Sequence, residues 1–287
     1  MRTLTALDDG QARAVRELAA AVRARDGAPP LSDEALLSLG NAEVEHLVTG
    51  YPISGYAQRQ GEVAEIVGDD ASVARLLDAL VTRQPALTVW AHGRGSAVTA
   101  PAAARGFRPT RVLWQLGRDM PEKPSDSPGE PAGITLSGYT DADADAVIAV
   151  NAAAFAHHPE QGSWSVADLR ARSREPWFDP HGLILARDQN THELLGFHFT
   201  KRHPDGVGEV YVLAVSPHAQ GRKLGRALLD AGLRRLFDTG ARRVILYVDD
   251  DNAPALRLYE SDGFLRSNKD VQLRLSPGSR PPDDDAE

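Results

Sequence analysis

The sequence predicts an α/β fold in two tandem halves, each a mixed central sheet flanked by helices. Three observations carry this reading. Short apolar strands alternate with helical patterns through most of the 287 residues, the order that builds layered sheet-and-helix domains. The same series of elements occurs twice. Between the two series lies Met120-Pro-Glu-Lys-Pro-Ser-Asp-Ser-Pro-Gly-Glu-Pro-Ala-Gly133, rich in Pro, Ser and Gly and nearly without apolar residues, which reads as an exposed linker.

Each element of the first series has a counterpart in the second. Gly61-Glu-Val-Ala-Glu-Ile-Val67 matches Gly208-Glu-Val-Tyr-Val-Leu-Ala214 in residue type and alternation. Helical patterns follow at 72–82 and 224–237, then the apolar strands Leu87-Thr-Val-Trp-Ala-His92 and Arg243-Val-Ile-Leu-Tyr-Val248. A second helix ends in Arg105-Gly-Phe107 in one half and Asp262-Gly-Phe264 in the other, and a last strand is expected to close each half, at 110–117 and 269–275. The expected organisation is an N-terminal domain over 1–120, a linker over 121–133, a C-terminal domain over 134–275 and a disordered acidic tail over 276–287.

Composition narrows the function classes. A hydrophobic share of 42% with 25% charged residues is that of a soluble globular protein. No apolar run approaches the ~18 residues of a membrane span, and Met1 to Asp9 lacks the apolar core of a signal peptide. Cysteine is absent, which excludes disulfides, thiolate metal sites and a cysteine nucleophile and points to the cytoplasm. The net charge of −8 argues against nucleic acid. His157, His158, His181, His198 and His203 match no zinc spacing, so no metal is expected. Trp164 and Trp177 read as packing for a core or an acceptor cleft.

The most informative segment runs from Val212 to Leu229. An apolar strand ends at Val215, Ser216-Pro217 makes a turn, and a Gly-containing basic run opens an amphipathic helix near Leu224. Backbone N–H groups at a helix N-terminus, with the helix dipole behind them, favour an anion such as a pyrophosphate. Arg222, Lys223 and Arg226 add positive charge, and no acid interrupts 218–226. Without the glycines this would read as a solvated basic helix end. Gln220-Gly-Arg-Lys-Leu-Gly225 is similar to the Q-x-x-G-x-G acyl-CoA loop of the GNAT family of N-acetyltransferases, with Lys223 where a second glycine is usual. The first half has Gly68-Asp-Asp-Ala-Ser72 at this place, two carboxylates that repel a pyrophosphate. That half therefore reads as a degenerate copy and the C-terminal half as the active one.

The resemblance implies acetyl-CoA as co-substrate. It implies that the backbone of Leu213, Ala214 and Val215 meets the thioester carbonyl and the pantetheine. It sets Gln220, Gly221, Arg222, Lys223, Leu224, Gly225 and Arg226 around the pyrophosphate, and Asn252, Ala253, Pro254, Ala255, Leu256 and Arg257 along the pantetheine and nucleotide. It further implies that Tyr259, seven residues and two helical turns from Asn252, protonates the departing thiolate. Asn252 also reads as an ordinary helix N-cap, and Tyr259 as a core residue with its hydroxyl satisfied. Glu209 lies four residues before Leu213, so strict alternation puts the two on one face. A carboxylate there suits general-base work on an ammonium; the plain alternative is an edge-strand Glu facing solvent. Lys223 either strains a backbone conformation that glycine would supply or adds an ionic contact to a phosphate.

A closer resemblance rests on Asn151-Ala-Ala-Ala-Phe-Ala-His-His-Pro-Glu-Gln-Gly162, Glu175-Pro-Trp-Phe-Asp-Pro-His-Gly-Leu-Ile-Leu-Ala186, Leu195-Gly-Phe-His-Phe-Thr-Lys-Arg-His-Pro204 and Val89-Trp-Ala-His-Gly93. These look like the mycothiol synthases, tandem acetyltransferases whose C-terminal half is active. The resemblance implies desacetylmycothiol as acceptor and acceptor-binding roles for Asp33, Glu160, Lys201, Glu209 and Tyr247; a monomer is expected. Asp33 equally suits the N-cap of a helix starting at Glu34. The rivals are an acetyltransferase for a peptide N-terminus, an aminoglycoside or a polyamine, and a non-catalytic CoA-binding sensor.

Overall fold

The computed structural model describes residues 1–84, 86–121, 131–158 and 161–276. The chain forms two compact units, and it passes between them at 114–115, 248–249, 251–252 and 266–267. Most of the expected linker and nearly all of the expected tail, 122–130 and 277–287, lie outside the described residues.

The first unit begins with β1 (Arg2–Leu4), α1 (Asp9–Asp26), α2 (Asp33–Leu37), β2 (Glu45–Thr49), β3 (Gly55–Gln60), β4 (Val63–Gly68), α3 (Asp70–Arg83), β5 (Leu87–Ala91) and α4 (Thr99–Ala104). Local chemistry sets the helix ends. Asp8 caps α1 in a reciprocal capping box with Gln11, and Asp69 caps α3 by accepting the Ser72 N–H at 2.7 Å. That carboxylate occupies the helix N-terminus. At α2 the cap is Ser32, whose Oγ accepts the Ala35 N–H at 3.1 Å, and Asp33 is the first helical residue. The N-cap reading of Asp33 is therefore displaced by one position: Ser32 has the extended backbone a cap needs.

The remaining strands are β6 (Arg108–Asp119) and β12 (Leu265–Leu275), with β7 (Ile134–Gly138), α5 (Ala144–Ala154), α6 (Val166–Arg172), β8 (Leu183–Asp188), β9 (Leu194–Arg202), β10 (Gly208–Val215), α7 (Leu224–Asp238), β11 (Arg243–Asp249) and α8 (Ala253–Ser261) between them. The first unit's sheet has the order β1-β2-β3-β4-β5-β12. This overturns the expectation that the last strand closes its own half. Val271–Leu275 pair antiparallel with Leu87–Ala91, and Leu273 and Leu275 enter the core of Leu77, Val89 and Phe107. Strand pairing rewards a fitting apolar face and has no memory of chain order. In turn Gln115–Asp119 of β6 belong to the second unit. There the order is β6-β11-β10-β9-β8-β7, and the Met120 N–H donates to the Arg242 carbonyl at 2.8 Å.

The two units share a local plan. Each joins one parallel pair, β4 with β5 and β10 with β11, to an antiparallel meander. Each ends its second helix with a positive-φ glycine, Gly106 or Gly263, followed by a buried Phe whose N–H returns to the helix.

A charged network lies inside the first unit. His92 Nδ1 is 2.9 Å from Asp270 Oδ2 and its Nε2 is 3.2 Å from Glu65 Oε2. Ser32 donates its N–H and Oγ–H to Glu65, each at 2.6 Å, and the Gly93 N–H donates to Asp270 at 2.8 Å. Burial alone would lower the His92 pKa, but the two carboxylates outweigh it and raise it to about 10 from 6.5. The folded chain thus holds this proton more tightly than the unfolded chain. The stabilisation is complete below pH 6.5 and is lost as pH rises through about 10. The urea midpoint should accordingly fall between pH 7 and pH 10. His92→Leu, which strands two buried carboxylates, should cost about 3–5 kcal/mol at pH 7 and flatten that fall. An unchanged slope in the variant would assign the pH dependence to other groups.

Candidate acetyl-transfer site

The site of the second unit is organised by one irregularity in β10. Glu209 pairs with Lys201 and Val210 with Thr200, but Val212 pairs with Phe199, so Tyr211 is an extra residue, a β-bulge. The parallel ladder between β10 and β11 runs over Gly208, Val210 and the residue between them and stops there. Pairing of β10 with β9 continues to Val215. The two parallel strands thus part at the bulge, and the β11-side backbone edge of Val212–Val215 is left without a strand ladder among the described residues.

The bulge also corrects the face assignment. Partners across a ladder share a face: Glu209 goes with Lys201, Val212 with Phe199 and Ala214 with Phe197, whereas Leu213 goes with His198 and Val215 with Gly196. Glu209 and Leu213 therefore lie on opposite faces, because the extra residue shifts the alternation by one. The solvent-facing alternative fails as well, since Glu209 is only 6% exposed.

Behind β10 the chain makes a 3₁₀ turn at Pro217–Ala219 and enters α7 at Leu224. Gly221 and Lys223 both have positive φ, +79° and +61°. Lys223 is thus a lysine in the left-handed conformation that glycine adopts freely, and it caps α7 without a side-chain hydrogen bond. The Ala227 N–H donates to the Lys223 carbonyl at 3.2 Å, so the amides of Leu224, Gly225 and Arg226 project from the helix N-terminus. Positive charge here is partly matched within the unit. Arg222 reaches Asp188 at 3.5 Å, and Arg226 reaches Asp262 at 3.2 Å and Asp230 at 3.6 Å. The helix is seated through His198, which is fully buried and whose Nδ1–H donates to the Leu228 carbonyl at 2.7 Å. Burial lowers the His198 pKa to about 4, so the ring is neutral. A Cβ on Gly232 would lie 2.0 Å from it, so only glycine allows this approach.

Asn252 caps α8, its Oδ1 accepting the Ala255 N–H at 3.2 Å. Ala253, Pro254 and Arg257 are exposed, Ala255 is half-buried and Leu256 is buried. Tyr259 is 7% exposed and packs edge-on against Phe264 at 5.9 Å. Burial pushes its phenol above the ordinary range, which keeps the hydroxyl protonated.

Among the expected acceptor residues, the second unit brings Lys201, Glu209 and Tyr247 to one face of its sheet. Glu209 pairs with Ile245, and Tyr247 follows two residues later. The Tyr247 hydroxyl accepts from Gln115 Nε2 at 2.8 Å. Lys201 is 6% exposed, and its ammonium lies 5.0 Å from the Trp177 ring and 5.3 Å from the Tyr211 ring. Glu160 lies outside the described residues, and Asp33 belongs to the first unit.

Several neighbours escaped the sequence reading. His203 Nε2 is 2.6 Å from Glu209 Oε2. Arg172, buried at 3% exposure, stacks on Trp164 at 4.0 Å and donates to the Tyr211 hydroxyl at 3.1 Å. A signal for His203 was present in His203-Pro-Asp-Gly206, a tight-turn sequence that folds residue 203 back toward 207–209. Arg172 had none, as nothing along the chain links it to Tyr211.

Residues 151–264 match the acetyltransferase (GNAT) family. Two solved structures share the fold over nearly the whole chain. The tandem GNAT protein from the clavulanic acid biosynthesis pathway is 20% identical with a TM-score of 0.70, covering 97% of this chain and 98% of that one. The GCN5-related N-acetyltransferase from Sphaerobacter thermophilus is 23% identical with a TM-score of 0.64, covering 95% and 94%. The fold is that of a GNAT acetyltransferase. Among curated relatives, the mycothiol acetyltransferase of Thermomonospora curvata is 44% identical over 94% of this chain and 96% of its own length. That of Catenulispora acidiphila is 41% identical over 91% and 94%. The chain belongs to the mycothiol acetyltransferase family.

Lys223 offers a direct test of the loop. A left-handed L-residue costs roughly 1–2 kcal/mol, offset in part by the greater freedom of unfolded glycine. Lys223→Gly should therefore raise unfolding stability by up to about 1 kcal/mol and leave acetyl-CoA affinity within about three-fold. A ten-fold loss in a titration calorimeter would make the lysine a phosphate ligand instead.

Proposed function

We propose that the protein transfers the acetyl group of acetyl-CoA to the cysteinyl amine of desacetylmycothiol, giving mycothiol and CoA. The observation that carries the acetyl-CoA part is the end of the β10–β11 ladder at Val210 beside a helix N-terminus with projecting amides. An opening between strands and an anion-binding helix end together suit a long ligand with a pyrophosphate. The acceptor is suggested by relatives named mycothiol acetyltransferase that are 39–44% identical over most of the chain. Absence of cysteine fits action in the cytoplasm.

In this reading the backbone of Leu213, Ala214 and Val215 holds the thioester and pantetheine, and an N–H there stabilises charge developing on the carbonyl oxygen. Residues Gln220 to Arg226 cradle the pyrophosphate, and Asn252 to Arg257 flank the pantetheine and nucleotide. Bound acetyl-CoA supplies the activated acetyl group. Glu209 takes the proton from the acceptor ammonium. Tyr259, kept protonated by burial, delivers a proton to the thiolate that leaves. Lys201 and Tyr247 share the Glu209 face and offer an ammonium and a phenol to a polyhydroxylated acceptor. Asp33 and Glu160 are carried as acceptor residues by the family resemblance alone. The first unit, with Asp69 filling its own helix end, is read as the catalytically silent copy.

CoA release should depend on desacetylmycothiol and be absent with peptide amines, aminoglycosides and polyamines. Glu209→Gln and Tyr259→Phe should each lower kcat by about 10²–10⁴, with acetyl-CoA affinity nearly kept. Turnover on a different amine would replace the acceptor while retaining the acetyl-transfer chemistry. Wild-type rates in both variants would favour a binding module.

A further inference from the structure

Glu209 is held by a partner that the proposed reaction does not employ. His203 Nε2 lies 2.6 Å from Glu209 Oε2, and the two side chains are 11% and 8% exposed. The histidine is itself fixed. Its backbone N–H donates to the Val207 carbonyl at 2.8 Å, its carbonyl accepts the Gly206 N–H at 2.9 Å, and Asp205 accepts the Val207 N–H at 3.1 Å. Gly206 closes this turn with φ +82°. His203 also lines an open cleft of about 410 Å³ together with Trp177, Asp179, Arg202 and Arg235.

We propose that His203 is a positioning residue for Glu209: its Nε2–H occupies Oε2 and turns Oε1 toward the acceptor amine. This rests on the reading of Glu209 as the base. A carboxylate with one oxygen engaged keeps the second as its proton acceptor in a fixed direction, which is what in-line proton transfer requires. The proton balance is simple. One ammonium proton passes to Oε1, the Nε2–H stays on His203, and the carboxylic acid returns its proton to water between turnovers.

Other charges surround the pair. Lys201 stands opposite Glu209 in the ladder with its ammonium against Trp177 and Tyr211, and Arg172 is hydrogen-bonded to Tyr211. Asp179 and Arg235 form an ion pair at 2.7 Å, Arg202 donates to the Thr239 carbonyl, and Asp205 lies in the turn. His203 meets Oε2 at 2.6 Å.

The test compares the kcat and KM of His203→Leu and His203→Gln with those of Glu209→Gln, using acetyl-CoA and desacetylmycothiol. His203→Leu should lower kcat about 10- to 100-fold, with the KM for acetyl-CoA within about three-fold. His203→Gln presents an amide N–H at similar reach, and should recover kcat to within about five-fold. If His203→Leu does not fold, His203→Asn takes its place, being too short to reach Oε2. Equal losses in the Leu and Gln variants would mean a merely structural histidine. A wild-type profile in His203→Leu alongside an inactive Glu209→Gln would overturn this inference alone. A fully active Glu209→Gln would remove the base reading and the positioning role together.

Discussion

The bulge at Tyr211 is the constraint on which the rest of the second unit depends. One extra residue in β10 ends the parallel ladder with β11, turns Glu209 onto the face of Lys201 and Phe199, and leaves the strand edge beyond Val210 without a ladder. A regular strand would have stayed zipped to β11 and presented Glu209 on the α7 side with Leu213. Opening a sheet exposes backbone polar groups, a cost that persists only where the surroundings over-determine it or a ligand satisfies them. Here the surroundings are specific. Tyr211 packs edge-on against Phe199 at 5.3 Å and Trp177 at 5.2 Å, and its hydroxyl accepts from the buried Arg172.

Charge is treated differently in the two units. The first encloses a protonated His92 between two carboxylates and fills the N-terminus of α3 with Asp69. These charges are matched within the unit and serve its stability. The second keeps the N-terminus of α7 open, with an exposed Lys223 in a left-handed conformation and no side-chain cap. An uncapped helix end is less stable by about 1 kcal/mol than a capped one, and the same vacancy is what an anionic ligand needs. Two similar strand–helix units thus differ in what stands at one helix terminus.

Much of the fold was legible along the chain. The alternation of strands and helices, both glycine–phenylalanine helix endings, and the turn and basic run before α7 are all local signals, set by period, capping and φ preference. Asn252 as a cap and Tyr259 on a buried helical face followed from spacing. The sharing of one face by Glu209 and Leu213 did not hold, because a bulge leaves no mark in the apolar alternation Val210-Tyr-Val-Leu-Ala-Val215. The cap of α2 was misplaced by one residue, since Ser32 and Asp33 are both good caps and only backbone conformation separates them.

The sequence by itself determined the α/β class, the repeated order of elements, the anion-suited loop and the family resemblance, because each rests on residues close together along the chain. Only the tertiary structure decided that Val271–Leu275 complete the sheet of the first unit, that β10 and β11 part at Val210, and that His203 and Arg172 support Glu209 and Tyr211. These are pairings between segments distant in sequence or set by a change of register. The free energy of such pairings comes from fitted apolar faces and matched donors in three dimensions, which one strand's composition does not encode.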